Sequence, residues 1–315
     1  MRPHTDPVDD SSPAPKLSKH ILWRWFKRLY VAATLAMLAW ATASAWPVVQ
    51  QWQLHQLLPA TIATIAGWIG MVLLLGRGWA DAVCAWSGLR LGKRQWLPMQ
   101  AAAWAGRYLP GKIGLLAGKM QACEQGISWK QLTGSVISEQ LAFIGAGLAL
   151  SGLATRYWQP LLPAPLRQTA VAYIAVLLLP ALAMLVLGAW LARKRLPHAD
   201  ATWGLRLILW SALGHIAAGT GFHFLLASLL ADPPSLLVSI GLLAVAHTAG
   251  VLAIFAPAGL GVREAVIAAA LAPQVGWSQA LAITALQRAL VVIADGGIAV
   301  GALLIRQCPP TPHIE

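Results

Sequence analysis

The chain has 315 residues, of which 58% are hydrophobic and only 11% charged, where a soluble domain carries roughly 25% charged residues. That balance excludes an ordinary soluble enzyme and predicts an integral membrane protein whose apolar runs are long enough to span. The net charge of +12 would suit a nucleic-acid binder, but Lys and Arg fall in short clusters between apolar runs, so positive-inside anchoring explains them and no nucleic-acid partner is expected.

Residues 1–20 are polar and proline-bearing, with Asp6, Asp9, Asp10, Ser11 and Ser12, and are expected to form a disordered cytoplasmic tail. The first apolar run, 29–46, carries Ala43-Ser-Ala45, which mimics a signal-peptidase site. The polar tail before it and Pro47 after it favour an uncleaved anchor. A second run covers 57–76. The next segment, 79–117, resists a single straight span because Arg90, Lys93, Arg94 and Pro98 interrupt it. It reads as an interfacial helix near 79–91 followed by a short or re-entrant piece at 95–109. Further runs lie at 133–153, 168–191, 205–230, 235–256 and 279–305, with a C-terminal tail over 307–315. The expected fold is an all-α polytopic bundle of about seven or eight spanning elements, with broken or re-entrant helices, forming a single transmembrane domain over 21–306.

The basic clusters at 16–28, 77–94, 112–130 and 193–206 fall on one side if the N-terminus is cytoplasmic, which predicts a multi-pass protein of the inner (plasma) membrane. Ten of the 16 Trp residues, namely Trp23, Trp25, Trp46, Trp52, Trp79, Trp96, Trp129, Trp158, Trp190 and Trp203, lie near span ends and read as an interfacial belt. Cys84, Cys123 and Cys308 are odd in number and lack metal-ligand spacing, so neither a disulfide framework, a metal nor a cofactor is expected.

Phe255-Ala-Pro-Ala-Gly-Leu-Gly-Val-Arg-Glu264 puts a proline, two glycines and two charges directly after an apolar run. Such backbone survives at membrane depth only when buried in protein or lining a polar cavity. The following Val262–Ala272 segment is helix-forming, so its N–H groups and partial positive charge face back at Gly259 and Gly261, the outline of an anion site with Arg263 and Glu264 beside it. About 150 residues earlier, Arg107-Tyr-Leu-Pro-Gly-Lys112 with Gly114 has a similar layout, and the sequences Gly126-Ile-Ser-Trp129 and Gly276-Trp-Ser278 follow the two motifs. The runs 29–46, 57–76 and 79–107 match 168–191, 205–230 and 235–256, which suggests repeat halves at about 21–155 and 165–306, each with a broken segment. Arg107, Lys112 and Lys119 flank Pro110 and Gly111 and could collect an anionic headgroup; positive-inside anchoring is the alternative. The P-loop imitation over 106–112 fails at Ile113, where Mg²⁺ binding needs Ser or Thr.

Ionisable groups in mid-span cost about 2.5–3.5 kcal/mol each on insertion scales. Glu139, and Arg288 with Asp295 on one face of the last span, therefore need a reason. They line a polar path or, alternatively, Glu139 and Arg288 simply pair. His215 and His223 share a helix face, with His247 in the next span; isolated interhelical hydrogen bonds are the plainer reading, a proton relay or metal site the other. Gly114-Leu-Leu-Ala-Gly118 and Gly297-Ile-Ala-Val-Gly301 are small-residue faces expected to pack within the chain.

Arg107-Tyr-Leu-Pro-Gly-Lys112 with Gly114, Gly126-Ile-Ser128, Ser138-Glu-Gln140, Pro257-Ala-Gly-Leu-Gly-Val-Arg-Glu264, and Arg288 with Asp295 together resemble the transmembrane region of lysylphosphatidylglycerol synthases and its stand-alone, flippase-like relatives. The resemblance covers nearly the whole chain after residue 20. It implies an inner-membrane protein of the cell envelope that moves an anionic or aminoacylated phospholipid, or a polyprenyl-phosphate-linked lipid, between leaflets. Membrane lipids and cell-envelope lipid- or glycan-synthesis enzymes are the implied partners. Family sequences often show Gly-Glu and Arg after the first Pro-Gly, where this chain has Gly114-Leu and Lys119. The soluble aminoacyl-transferase domain has no counterpart here, so lysine transfer is not carried over. Two alternatives stand beside transport. One is a membrane scaffold for lipid- or glycosyl-transferring enzymes; the other is a membrane-embedded transferase using Glu264 or Glu139 as its carboxylate.

Overall fold

The computed structural model describes residues 43, 50, 52, 57–108, 113–158, 198–200, 202–253 and 256–307, with backbone only at Ile113, Pro257 and 305–307. The tail at 1–20, the runs 29–46 (Ala43 apart) and 168–191, Pro110, Gly111, Lys112, Cys308 and the C-terminal tail lie outside the described residues. The described residues contain helices and no strand. In chain order these are α1 (Leu58–Ser87), α2 (Lys93–Gly106), α3 (Ile113–Lys119), a 3₁₀ segment (Met120–Gln125), α4 (Trp129–Ser151) continuing through a 3₁₀ turn into α5 (Thr155–Trp158), α6 (Trp203–Leu229), α7 (Leu236–Leu252), a 3₁₀ turn (Pro257–Gly259), α8 (Val262–Val275) and α9 (Trp277–Gln307). Four helices, α1, α4 with its continuation, α6 and α9, are long and apolar enough to cross a membrane; α7 is apolar and shorter.

α1 runs unbroken from Leu58 to Ser87 and ends at Gly88, whose φ of 77° turns the chain, so residues 79–87 continue the span and form no separate interfacial helix. The interruption argued from Arg90, Lys93, Arg94 and Pro98 comes after Gly88, with Lys93, Arg94 and Pro98 inside α2, and the charges within α1 are neutralised in place. Arg77 pairs with Asp81 one turn on at 3.0 Å, and Trp210 Nε1 donates to the same carboxylate at 2.9 Å. α2 and α3, with 14 and 7 residues, are each too short to cross about 30 Å of hydrocarbon. They fold into a hairpin in which Gly106 lies against the Gly114 backbone and Gly118 against Ala103, with no room for a Cβ at any of the three glycines. The Gly114–Gly118 face thus packs within the chain as expected. A Cβ at Gly297 or Gly301 would meet nothing within 4 Å among the described residues outside its own helix turn, so that face does not pack there as expected.

α4 starts where Ser128 accepts from the Gln131 N–H and Gln131 Oε1 accepts from the Ser128 N–H, a reciprocal cap that satisfies two orphan donors. α1 and α6, the helices that the weak repeat matches, cross with glycine backbones in contact. A Cβ at Gly221 would sit 2.8 Å from Thr64 Cα, and Thr64 Oγ1 donates to the Gly221 carbonyl at 3.0 Å. α7 occupies the core, with Leu242, Leu243 and Ala246 fully buried against Phe143, Phe222 and Leu271.

Two expectations about side chains change. Trp79, Trp96, Trp158 and Trp203 are buried inside the bundle while Trp129 is exposed, so most of the described tryptophans assigned to an interfacial belt are packing residues. Lys119, expected near a headgroup, is wholly buried and ion-paired to Glu139, with its ammonium 4.5 Å from the Trp79 ring centre. Breaking such a pair leaves an uncompensated charge in low dielectric. Glu139→Gln is expected to cost about 3 kcal/mol of stability, and the double variant Lys119→Met/Glu139→Gln to recover most of it, as measured by thermal unfolding in detergent.

Candidate functional site

After α7 the backbone cannot continue as helix. Ala258 has φ 52°, Gly259 69° and Gly261 83°, in the left-handed region that costs a non-glycine residue roughly 1–2 kcal/mol. Ala258 is held there by its N–H, which donates to the Arg107 carbonyl at 3.1 Å. That bond ties the break after α7 to the C-terminal end of α2, the two places where the sequence interrupts its helices.

The anion site outlined by the glycine N–H groups is already occupied by the chain itself. Gly259 N–H donates to the Ala256 carbonyl at 3.0 Å, and Gly261 N–H to Glu264 Oε2 at 2.7 Å. A glutamate at the third helical position reaches back to the free N–H and gains from the helix dipole. What remains for a ligand comes from side chains. The Arg263 stem passes between Gly250 and Gly259, and its guanidinium lies over the Trp68 ring, 5.1 Å from the ring centre. Arg263 is 6% exposed, its Nε lacks a hydrogen-bond partner, and among the described residues it has no ion-pair partner.

Two more arginines converge on the same place. Arg107 lies between Trp68 and Trp104, 4.9 and 4.8 Å from their ring centres, and forms an ion pair with Asp295. Asp295 also accepts from Tyr108 Oη and from Trp68 Nε1 at 2.8 Å. Arg288 approaches Glu264 at 3.7 Å and sits over the Tyr108 ring at 5.6 Å, with none of its three nitrogens hydrogen-bonded. All five charged groups are buried, so three guanidinium charges meet two carboxylates and one positive charge is left over.

Arg288 and Asp295 therefore do share a cluster, but Glu139 does not belong to it. Its carboxylate is held by Lys119, so the alternative Glu139–Arg288 pair does not form and the expected three-residue path is divided. Pro110, Gly111 and Lys112 lie outside the described residues, directly after Arg107 and Tyr108.

Beside the arginines is a cavity of about 70 Å³ whose walls include Trp68, Trp104, Arg107, Gln140, His247 and Arg263. At roughly 15 Å³ per enclosed water, it has room for a group of phosphate size. His247 is buried with neither ring nitrogen hydrogen-bonded, and the His215 ring lies 5.7 Å away. His223 is separate, 3.2 Å from Ser239 Oγ. Among the described residues no group of three His, Cys, Asp or Glu side chains could hold a metal ion.

Several participants went unremarked in the sequence or were read differently. Tyr108 and Gln140 stand there only as parts of motifs. Trp68 carries one usable signal, a tryptophan deep in an apolar run instead of at its end, and Trp104 carries none. Gly259 can be tested directly. A Cβ there would lie 2.9 Å from both Arg263 Cδ and Gly250 Cα, at a φ that disfavours any side chain. Gly259→Ala is expected to displace Arg263 and cost about 1–2 kcal/mol, measured as a lower thermal midpoint together with weakened ligand binding.

No protein-family model matches the chain, and no curated protein matches it. Fold and site together define an all-α bundle with, among the described residues, four helices of membrane-spanning length and character. Within it lies a buried, arginine-rich cavity.

Proposed function

We propose that this chain is a flippase-like integral membrane protein, akin to the transmembrane region of lysylphosphatidylglycerol synthases, that binds an anionic lipid headgroup at the arginine cluster and carries it between leaflets. It resides in the inner (plasma) membrane as a multi-pass protein with its N-terminus in the cytoplasm. The observation that carries this reading is Arg263, a buried guanidinium without an ion-pair partner among the described residues. An isolated charge in an apolar interior costs several kcal/mol, and such residues inside membranes mark substrate or ion pathways. Arg107 and Arg288 increase the positive potential, and the hydrogen-bond vacancies of His247 provide a donor for a phosphate oxygen. The headgroup crosses through this polar interior while the acyl chains stay in lipid.

The transferase alternative needs a carboxylate able to act on substrate. Glu264 and Glu139 are both engaged within the chain, which weighs against it. Native mass spectrometry of the purified protein tests the binding step. The proposal expects a retained anionic lipid, enriched over its bulk share and lost on Arg263→Met; lipid in bulk proportions would contradict it. A scaffold would show neither retention nor translocation.

A further inference from the structure

The charges around the cavity narrow the headgroup. Its walls carry two guanidinium groups, Arg107 and Arg263, and no carboxylate. Every carboxylate between residues 21 and 306 is moreover accounted for. Asp81 is held by Arg77 and Trp210, Glu139 by Lys119, Asp200 by Arg206 and Thr202, Glu264 by the Gly261 N–H and Arg288, and Asp295 by Arg107, Tyr108 and Trp68. Glu124 and Asp232 are exposed in connecting segments. The stretches 21–56, 109–112, 159–197 and 254–255 contain no Asp or Glu at all, so they cannot bring one to the cavity.

We infer that the cavity is a phosphodiester subsite selective for lipids whose headgroup carries no cation, so that glycerol-type anionic headgroups are accepted and aminoacylated or choline-bearing ones are rejected. This rests on the lipid-binding reading above and chooses among the lipids it allows. One phosphodiester charge matches the one uncompensated positive charge of the cluster. An ammonium on the headgroup would enter beside Arg107 and Arg263 with no counter-ion, and like charges brought together in a desolvated site cost several kcal/mol. A neutral polyol has no such penalty and packs its C–H surface on Trp68 and Trp104, whose rings flank the arginines.

The test uses the full chain in an uncharged detergent and measures affinity for dihexanoyl phosphatidylglycerol, its lysyl ester, dihexanoyl phosphatidylcholine and inorganic phosphate. The expected result is that phosphatidylglycerol binds about tenfold or more tighter than the lysyl ester and the choline lipid, and that inorganic phosphate binds more weakly still. A second variant makes the electrostatic cause visible: Gln140→Glu places a carboxylate in the cavity wall and is expected to reduce or reverse the preference against the lysyl ester. Equal or tighter binding of the lysyl ester by the wild type overturns the selectivity and leaves the lipid-binding reading standing. Inorganic phosphate binding as tightly as phosphatidylglycerol overturns the lipid source of the phosphate. If none of the four probes binds, the lipid-binding reading itself fails, and this inference with it.

Discussion

Arg263→Met is expected to abolish lipid translocation while leaving the thermal stability of the detergent-purified protein unchanged or raised. The two halves of that expectation have one cause. A buried guanidinium without an ion-pair partner among the described residues is a cost to the fold, and replacing buried charges with apolar groups of similar volume is often neutral or stabilising. Methionine keeps the unbranched stem that passes between Gly250 and Gly259 and deletes the charge that also repels Arg107 and Arg288. For the ligand the sign is opposite. Truncating one partner of a buried charge pair costs about 2–5 kcal/mol, so affinity for an anionic headgroup falls by about thirtyfold or more. Thermal unfolding and a leaflet-translocation assay on one preparation check both halves. A variant that merely failed to fold would lose both, and a purely structural Arg263 would lose stability first.

The opposite balance is expected at Asp295. Its carboxylate takes Arg107, Tyr108 and Trp68 together and so joins the start of the interrupted segment after α2, the middle of α1 and the last long helix. Asp295→Asn keeps the shape but leaves Arg107 buried without a counter-charge, which costs about 3–5 kcal/mol. A large drop in thermal midpoint is therefore expected. Arg107→Met/Asp295→Asn should recover part of it, since the uncompensated charge goes with its partner. Recovery by the double variant, absent for Arg263→Met combined with Asp295→Asn, would separate the paired arginine from the unpaired one.

Composition and apolar periodicity made the helical class legible, because backbone groups in hydrocarbon leave few alternatives to helix. The breaks were legible as well. Pro257, Gly259 and Gly261 announce a turn, and the structure uses positive φ at both glycines and at Ala258. The partners of the charges were not legible. Arg107 meets Asp295 across 188 positions, a separation no local spacing encodes, and the plausible Glu139–Arg288 pair lost to Lys119, only 20 positions from Glu139 in sequence. The extent of α1 was not legible either. The interruption signalled by Arg90, Lys93, Arg94 and Pro98 comes only after Gly88, and one partner that keeps Asp81 within the span is Trp210 on a distant helix. Likewise a tryptophan near a span end reads as an interfacial anchor, and only tertiary packing reveals that Trp79 points inward.

The central claim is that the arginine cluster carries an anionic lipid headgroup across the bilayer. Its most direct measurement is leaflet exchange of a fluorescent phosphatidylglycerol in proteoliposomes containing the wild-type chain, read as the fraction of label that becomes accessible to a membrane-impermeant quencher. Exchange well above that of protein-free vesicles, and lost with Arg263→Met, is the predicted result. Wild-type exchange no faster than that of protein-free vesicles, with this lipid and with its lysyl ester, would contradict it.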